Sequence, residues 1–149
     1  MFSKACEYGI RAVVIVAQHS MEKNRISLKE IAAAINSPEA FTSKILQKLV
    51  KNGYVTSIQG AYGGFEIKEE VLEKLSLQDI VDSIDGDEAY MSCVLGLKEC
   101  SDVNPCPAHK KYKYIKNDLV EMLKTTSVKD MVNDTQKGLA FLKITKPRD

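Results

Sequence analysis

The chain of 149 residues lacks any apolar run approaching the roughly 20 residues of a membrane-spanning helix. Its first apolar run, Ala12–Ala17, is short and is not followed by a cleavage-like region, so no secretory leader, no membrane partner and a cytoplasmic location are expected. There is no phosphate loop, no dinucleotide fingerprint and no Ser/His/Asp set, and an enzyme is not expected. None of the four cysteines forms the C-x2-C pair common in structural zinc sites. In a reducing compartment they are not expected to build a disulfide framework either. No internal repeat or low-complexity stretch is present. The length suits one domain, or one compact domain with an appendage.

What is present is an uneven charge distribution around a net of +1. Residues 1–64 carry eight Lys/Arg against four Asp/Glu, residues 65–105 three against eleven, and residues 106–149 ten against five. A basic start and an acidic middle fit a protein that turns one face to phosphates.

The chain is organised around Ser27–Ile67. Ser27 and Glu30 form a capping-box pattern, and Leu28, Ile31, Ala32 and Ile35 follow at helical spacing. Asn36-Ser37-Pro38 breaks that helix and starts a second, Pro38–Lys51, with Phe41, Ile45, Leu46 and Leu49 on its apolar side. Its other side offers Thr42, Ser43, Lys44, Gln47, Lys48 and Lys51, groups suited to phosphates and base edges. Asn52-Gly53 ends it, Tyr54–Ile58 alternates like a strand, Gln59–Gly64 turns, and Phe65–Ile67 returns. Two helices and a tight turn with a hairpin behind them predict a winged helix-turn-helix, the second helix entering the major groove and the wing touching flanking DNA. Lys29, Thr42, Ser43, Lys44, Gln47 and Lys48, with Gln59 and Tyr62 from the wing, are the candidate DNA contacts.

Upstream, Phe2–Ser20 predicts a helix with Tyr8, Ala12, Ile15 and Val16 on one face, and Cys6 in it as a small buried residue. Downstream, Lys68–Lys74 and Leu77–Ile84 predict two short helices, the latter capped by Ser76 and Asp79. Residues 87–107 show little periodicity. A long helix follows over Ala108–Lys124, extended or restarted at Ser127–Val132, and such a helix buries its second face against a twin, giving a homodimer, or else folds back on its own domain. The expected class is mainly α with a small β-hairpin wing. Its parts are a DNA-binding domain (1–86), a cysteine-bearing loop (87–107), a dimerisation helix (108–135) and a flexible tail (136–149).

Cys93, Cys100, Cys106 and His109 lie within seventeen residues, spaced C-x6-C-x5-C-x2-H. Thiolates suit iron–sulfur clusters or zinc, and the wide gaps favour an object larger than one ion. Zinc, a metal-free thiol switch and no role are the alternatives.

Taken together, the helix-turn-helix, the wing KNGYVTSIQGAYGGFEI, the segment LSLQDIVDSIDG and the segment CPAHKKYKYIKNDLVEMLKTTSVKDMV resemble the Rrf2 family of bacterial winged-helix regulators. The resemblance runs from the first helix to about Val132. It implies a homodimer on double-stranded DNA with a two-fold-symmetric site, more often a repressor, and in many members an iron–sulfur cluster (2Fe–2S or 4Fe–4S) that senses cluster supply, nitric oxide or redox state. The three loop cysteines of such members match Cys93, Cys100 and Cys106. The fourth ligand matches His109 in one branch, and in another a first-helix carboxylate near the partner's cluster, for which Glu7 is the candidate. Two features depart from the family pattern: the first cysteine gap is one residue longer than the usual C-x5-C-x5-C, and Gln59 stands where many members have arginine, removing a charge-assisted contact. Some members carry no cluster.

Overall fold

A computed structural model of the chain describes residues 1–143. The first helix, α1 (Lys4–Met21), begins where the Ser3 hydroxyl accepts the Cys6 amide at 3.0 Å, satisfying one of the free N–H groups of the first turn. Its apolar residues are not confined to one face. Cys6, Gly9, Ala12, Val13, Val14, Val16 and Ala17 are all buried, because other elements close on α1 from several sides. Small residues allow the approach: a Cβ on Gly9 would lie 2.2 Å from Ile84 Cδ1 and 3.2 Å from Ile45 Cγ2.

The capping box of α2 (Leu28–Ile35) is formed, with the Glu30 amide on Ser27 Oγ at 3.2 Å and the Ser27 amide on Glu30 Oε2 at 3.4 Å. Asn36 ends α2 in the left-handed region at φ 54°, and the Ser37 amide reaches back to the Ala32 carbonyl at 3.0 Å. Pro38 then stands just outside α3 (Glu39–Lys51), one residue later than the expected start.

Strand β1 (Thr56–Ile58) pairs antiparallel with β2 (Gly64–Glu66), Ser57 opposite Phe65. β1 is shorter than its alternation suggests, Tyr54 and Val55 being tied instead to the Leu49 carbonyl at the end of α3, and β2 begins one residue earlier than the expected Phe65–Ile67. Ile26 and Phe65 exchange hydrogen bonds at 2.8 and 3.2 Å, which fastens the hairpin to the chain just ahead of α2. The glycine pair of the wing is demanded by this closeness. A Cβ on Gly63 would lie 2.1 Å from the Ile58 carbonyl oxygen, and Gly64, at φ 140°, would place one 2.9 Å from that of Ile26.

Beyond the wing come α4 (Glu69–Leu72), α5 (Leu77–Ile84), α6 (Glu88–Met91), α7 (His109–Thr125) and α8 (Val128–Gln136). The long helical stretch restarts rather than continues. At the junction the Leu77 amide bonds the Thr126 carbonyl at 2.8 Å and the Val128 amide bonds that of Leu75 at 3.0 Å, so the start of α5 grips the break. Val128 and Val132 are fully buried and α8 packs on α1. Leu123 anchors the end of α7, while Tyr114, Ile115 and Met122 stay exposed along it. Of the expected tail, Leu142 packs against the core and residues 144–149 lie outside the described residues. No helix among the described residues is long and apolar enough to cross a membrane.

Gly63→Ala forces a methyl group onto the Ile58 carbonyl, and a cost of about 1–3 kcal/mol is expected. Thermal unfolding will read it as a lowered midpoint with the helix content retained.

Candidate nucleic-acid interface and cysteine loop

Helix α3 divides sharply. Thr42, Ile45, Leu46 and Leu49 are buried, and Ala40, Lys44, Gln47 and Lys51 form the exposed stripe opposite. Ser43 flanks the stripe, half-buried, and accepts a hydrogen bond from Gln47 Nε2 at 3.2 Å. Lys29 is exposed on α2, and Gln59 and Tyr62 are exposed on the wing, Tyr62 at 93%.

Thr42 corrects the sequence reading, being wholly inaccessible. It lies a turn before Ile45, Leu46 and Leu49 and shares their face, and its Oγ1 donates to the Pro38 carbonyl at 2.9 Å, so the hydroxyl is buried without an unmet bond. It holds the helix against the core and is out of reach of a base. Lys48 is exposed at the edge of the stripe, its Nζ 3.5 Å from the Ile84 carbonyl at the end of α5, beside the 2.9 Å bond from Asn52 Nδ2 to Ser83 Oγ. One residue that sequence reasoning missed is Arg25. Its Nε lies 3.0 Å from Glu66 Oε2 and its Nη1 donates to the Tyr62 carbonyl at 3.2 Å, bracing the wing from the loop before α2. A lone arginine in a polar loop carries no sequence signal for that role.

In the second constellation, Cys93 is buried directly after α6, Cys100 and Cys106 are half-buried, and His109 is the first residue of α7, only 5% exposed. The donors form two couples. Cys93 faces Cys106, and its thiol is held below the usual range by the backbone amides of Leu95 and Leu97, helped by Cys106 and the Gly96 amide. Cys100 Sγ lies 3.5 Å from His109 Nδ1. The other ring nitrogen, Nε2, donates to Asp102 Oδ1 at 2.9 Å, which in the neutral ring leaves the Nδ1 lone pair turned to the thiol. Asp102 was not foreseen. Lys113 Nζ bonds both its oxygens at 2.9 and 2.8 Å, and Lys113 first and His109 second pull its carboxyl below the usual carboxylate range. A carboxylate behind a histidine is the arrangement that orients metal-bound imidazoles.

Among the described residues no three His, Cys, Asp or Glu side chains converge closely enough to hold a single metal ion. Glu7 lies on the first turn of α1, its carboxylate 3.0 Å from Lys4 Nζ, and no hydrogen bond joins it to the loop donors among the described residues.

These features define a winged helix-turn-helix protein with a thiol-rich loop ahead of a long helix. The chain belongs to the Rrf2 family: the family model, described as an iron-dependent transcriptional regulator, matches residues 2–134. Among its relatives is a protein of Aquifex aeolicus (strain VF5) named as an HTH-type transcriptional regulator, 30% identical over 142 residues that span 93% of this chain and 96% of the relative. Among solved structures, CymR, the global cysteine regulator of B. subtilis, superposes with a TM-score of 0.73 at 26% identity, covering 89% of this chain and 96% of that one. IscR of T. potens superposes with a TM-score of 0.72 at 23% identity over 95% and 92%, a likeness of fold.

Thr42→Val is expected to cost about 1 kcal/mol in chemical denaturation, the worth of one net hydrogen bond, and to leave duplex-DNA affinity unchanged. Gln47→Ala should show the reverse, weaker and less sequence-selective DNA binding at unchanged stability.

Proposed function

We propose that this protein is a homodimeric repressor whose affinity for a two-fold-symmetric operator is set by an iron–sulfur cluster in the loop 87–107. In this reading residues 1–86 dock on DNA, with Lys44, Gln47 and Ser43 reaching base edges and Lys29, Gln59 and Tyr62 touching the flanking backbone. The exposed Tyr114, Ile115 and Met122 stripe of α7 pairs with its twin, which removes apolar surface from water. Two recognition helices must then meet half-sites about 34–36 Å apart, so a small change in their relative angle weakens both contacts together.

The observation that carries the cluster is the Cys100–His109–Asp102 chain, a buried imidazole oriented by Asp102 at Nε2 with Nδ1 facing the thiol. Cys93, Cys100, Cys106 and His109 would hold the cluster, with Glu7 of the other subunit as the alternative fourth ligand. The donor set of three soft thiolates and one imidazole fits such a group. Once bound it would supply a centre that reacts with oxidants and nitric oxide. The protein's own part is to orient His109 through Asp102 and to shield Cys93 from solvent.

A second reading, a metal-free thiol switch, has its own observation: Cys93 faces Cys106 with its thiol pKa lowered, the environment of a reactive cysteine.

Purification without oxygen separates the two. A coloured protein with stoichiometric iron and acid-labile sulfide is expected, and Asp102→Asn is expected to weaken retention of both by about 10–100-fold. A colourless protein whose DNA affinity changes with thiol oxidation would establish the second reading. Affinity indifferent to iron, sulfide and oxidants overturns both.

A further inference from the structure

The hairpin wing carries no positive charge of its own. From Asn52 to Ile67 the sequence holds no Lys or Arg, and its one charged residue is Glu66. A cation reaches it from elsewhere in the chain. Arg25, in the loop ahead of α2, lays its guanidinium against the hairpin through Glu66 Oε2, 3.0 Å from Nε, and the Tyr62 carbonyl, 3.2 Å from Nη1. These bonds engage two of the five N–H groups, and Nη2 has no hydrogen-bond partner among the described residues. The Arg25 and Glu66 side chains are 39% and 28% exposed, so the pair stands open to solvent. With Lys23, Asn24, Tyr62 and Gly63 they line an open groove of about 390 Å³ beside the wing. Lys23, also exposed, brings a second ammonium to its rim.

We infer that Arg25 is a DNA-backbone contact as well as a brace: it cancels the Glu66 charge and offers its remaining N–H groups to a phosphate beside Tyr62. The inference rests on the DNA-binding reading above and adds to it a cation from outside the two helices and the wing. Reach supports it. The guanidinium is bonded to the backbone of Tyr62, whose ring is almost wholly exposed, so a strand met by that ring passes within a side chain's length of Arg25. Charge supports it too. Without Arg25 the wing would meet phosphates with a bare carboxylate, and like charges brought together cost affinity. A planar guanidinium can hold a carboxylate at one edge and a phosphate oxygen at another, which the point charge of lysine does not reproduce. Such a contact raises affinity for any duplex and leaves base preference untouched.

The test uses the full chain and a fluorescein-labelled duplex of mixed sequence, about 30 base pairs long, with binding read by anisotropy between about 50 and 300 mM KCl. Each phosphate contact contributes about 0.9 to the slope of log K against log salt. Arg25→Gln is therefore expected to flatten the slope by about 0.9 per bound protomer and to weaken binding throughout the range. Glu66→Gln breaks the same ion pair but keeps the cation, so it is expected to hold the wild-type slope and to bind at least as tightly. A solvent-open ion pair adds little to stability, and both variants should keep the wild-type thermal midpoint. Arg25→Gln with the wild-type slope overturns the contact and leaves the DNA-binding reading intact. Equal losses in the two variants overturn it as well, because Arg25 then serves only to brace the wing. Were Arg25→Gln to unfold, Glu66→Gln decides alone, and weaker binding by it overturns the contact. Wild-type protein with no salt-dependent binding removes the underlying reading and the contact with it.

Discussion

A helix buried on most of its circumference can be packed only if its own side chains are small where neighbours press and apolar everywhere else. α1 meets that condition, with Gly9 under Ile84 and Ile45, and with Ala12, Ala17 and three valines around it. The rest of the arrangement depends on it. α2 and α3 lean on it as the helix-turn-helix, α5 crosses at Gly9, β2 holds the wing beside it, and α8 returns from the end of the chain to cover another side. Close packing of this kind fixes α3 relative to the wing.

Around that core, α5 joins the helix-turn-helix to the later part of the chain. Its C-terminal end meets the recognition helix through Asn52–Ser83 and Lys48–Ile84. Its exposed side receives Tyr90, whose hydroxyl donates to Asp82 Oδ1 at 2.5 Å and accepts from Gln78 Nε2 at 2.9 Å, three residues before Cys93. Its N-terminal end grips the α7–α8 break. The cysteine loop therefore follows a helix that is tied through Tyr90 to the same short helix that meets α3.

The loop itself is built by different means. It has little apolar packing, and Met91, Val94, Leu95, Leu97 and Val103 are exposed. Its order comes from the buried His109 ring held by Asp102, from Lys113 behind that carboxylate, and from amides gathered on Cys93. Such a segment is more responsive to chemistry at its thiols than a hydrophobic core would be, since few dispersion contacts resist its rearrangement.

Local patterns were enough for the helix-turn-helix, because a capping box, a proline after an αL residue and apolar residues at three- and four-residue spacing act over a single turn. The limits of α5 and the antiparallel wing were legible for the same reason, as was the family, through the order of its motifs. Sequence spacing also brought Cys93, Cys100, Cys106 and His109 together as candidates. Tertiary structure alone decided the rest. Thr42 looks like a contact residue by type and is core by its place on the wheel, since its hydroxyl finds a partner in the turn before it. Arg25 and Asp102 gained their roles from neighbours 41 and 7 residues away. The restart of α8 and its burial on α1 depend on which surfaces meet once the chain has collapsed. Periodicity reports that a face is apolar but not which other face covers it.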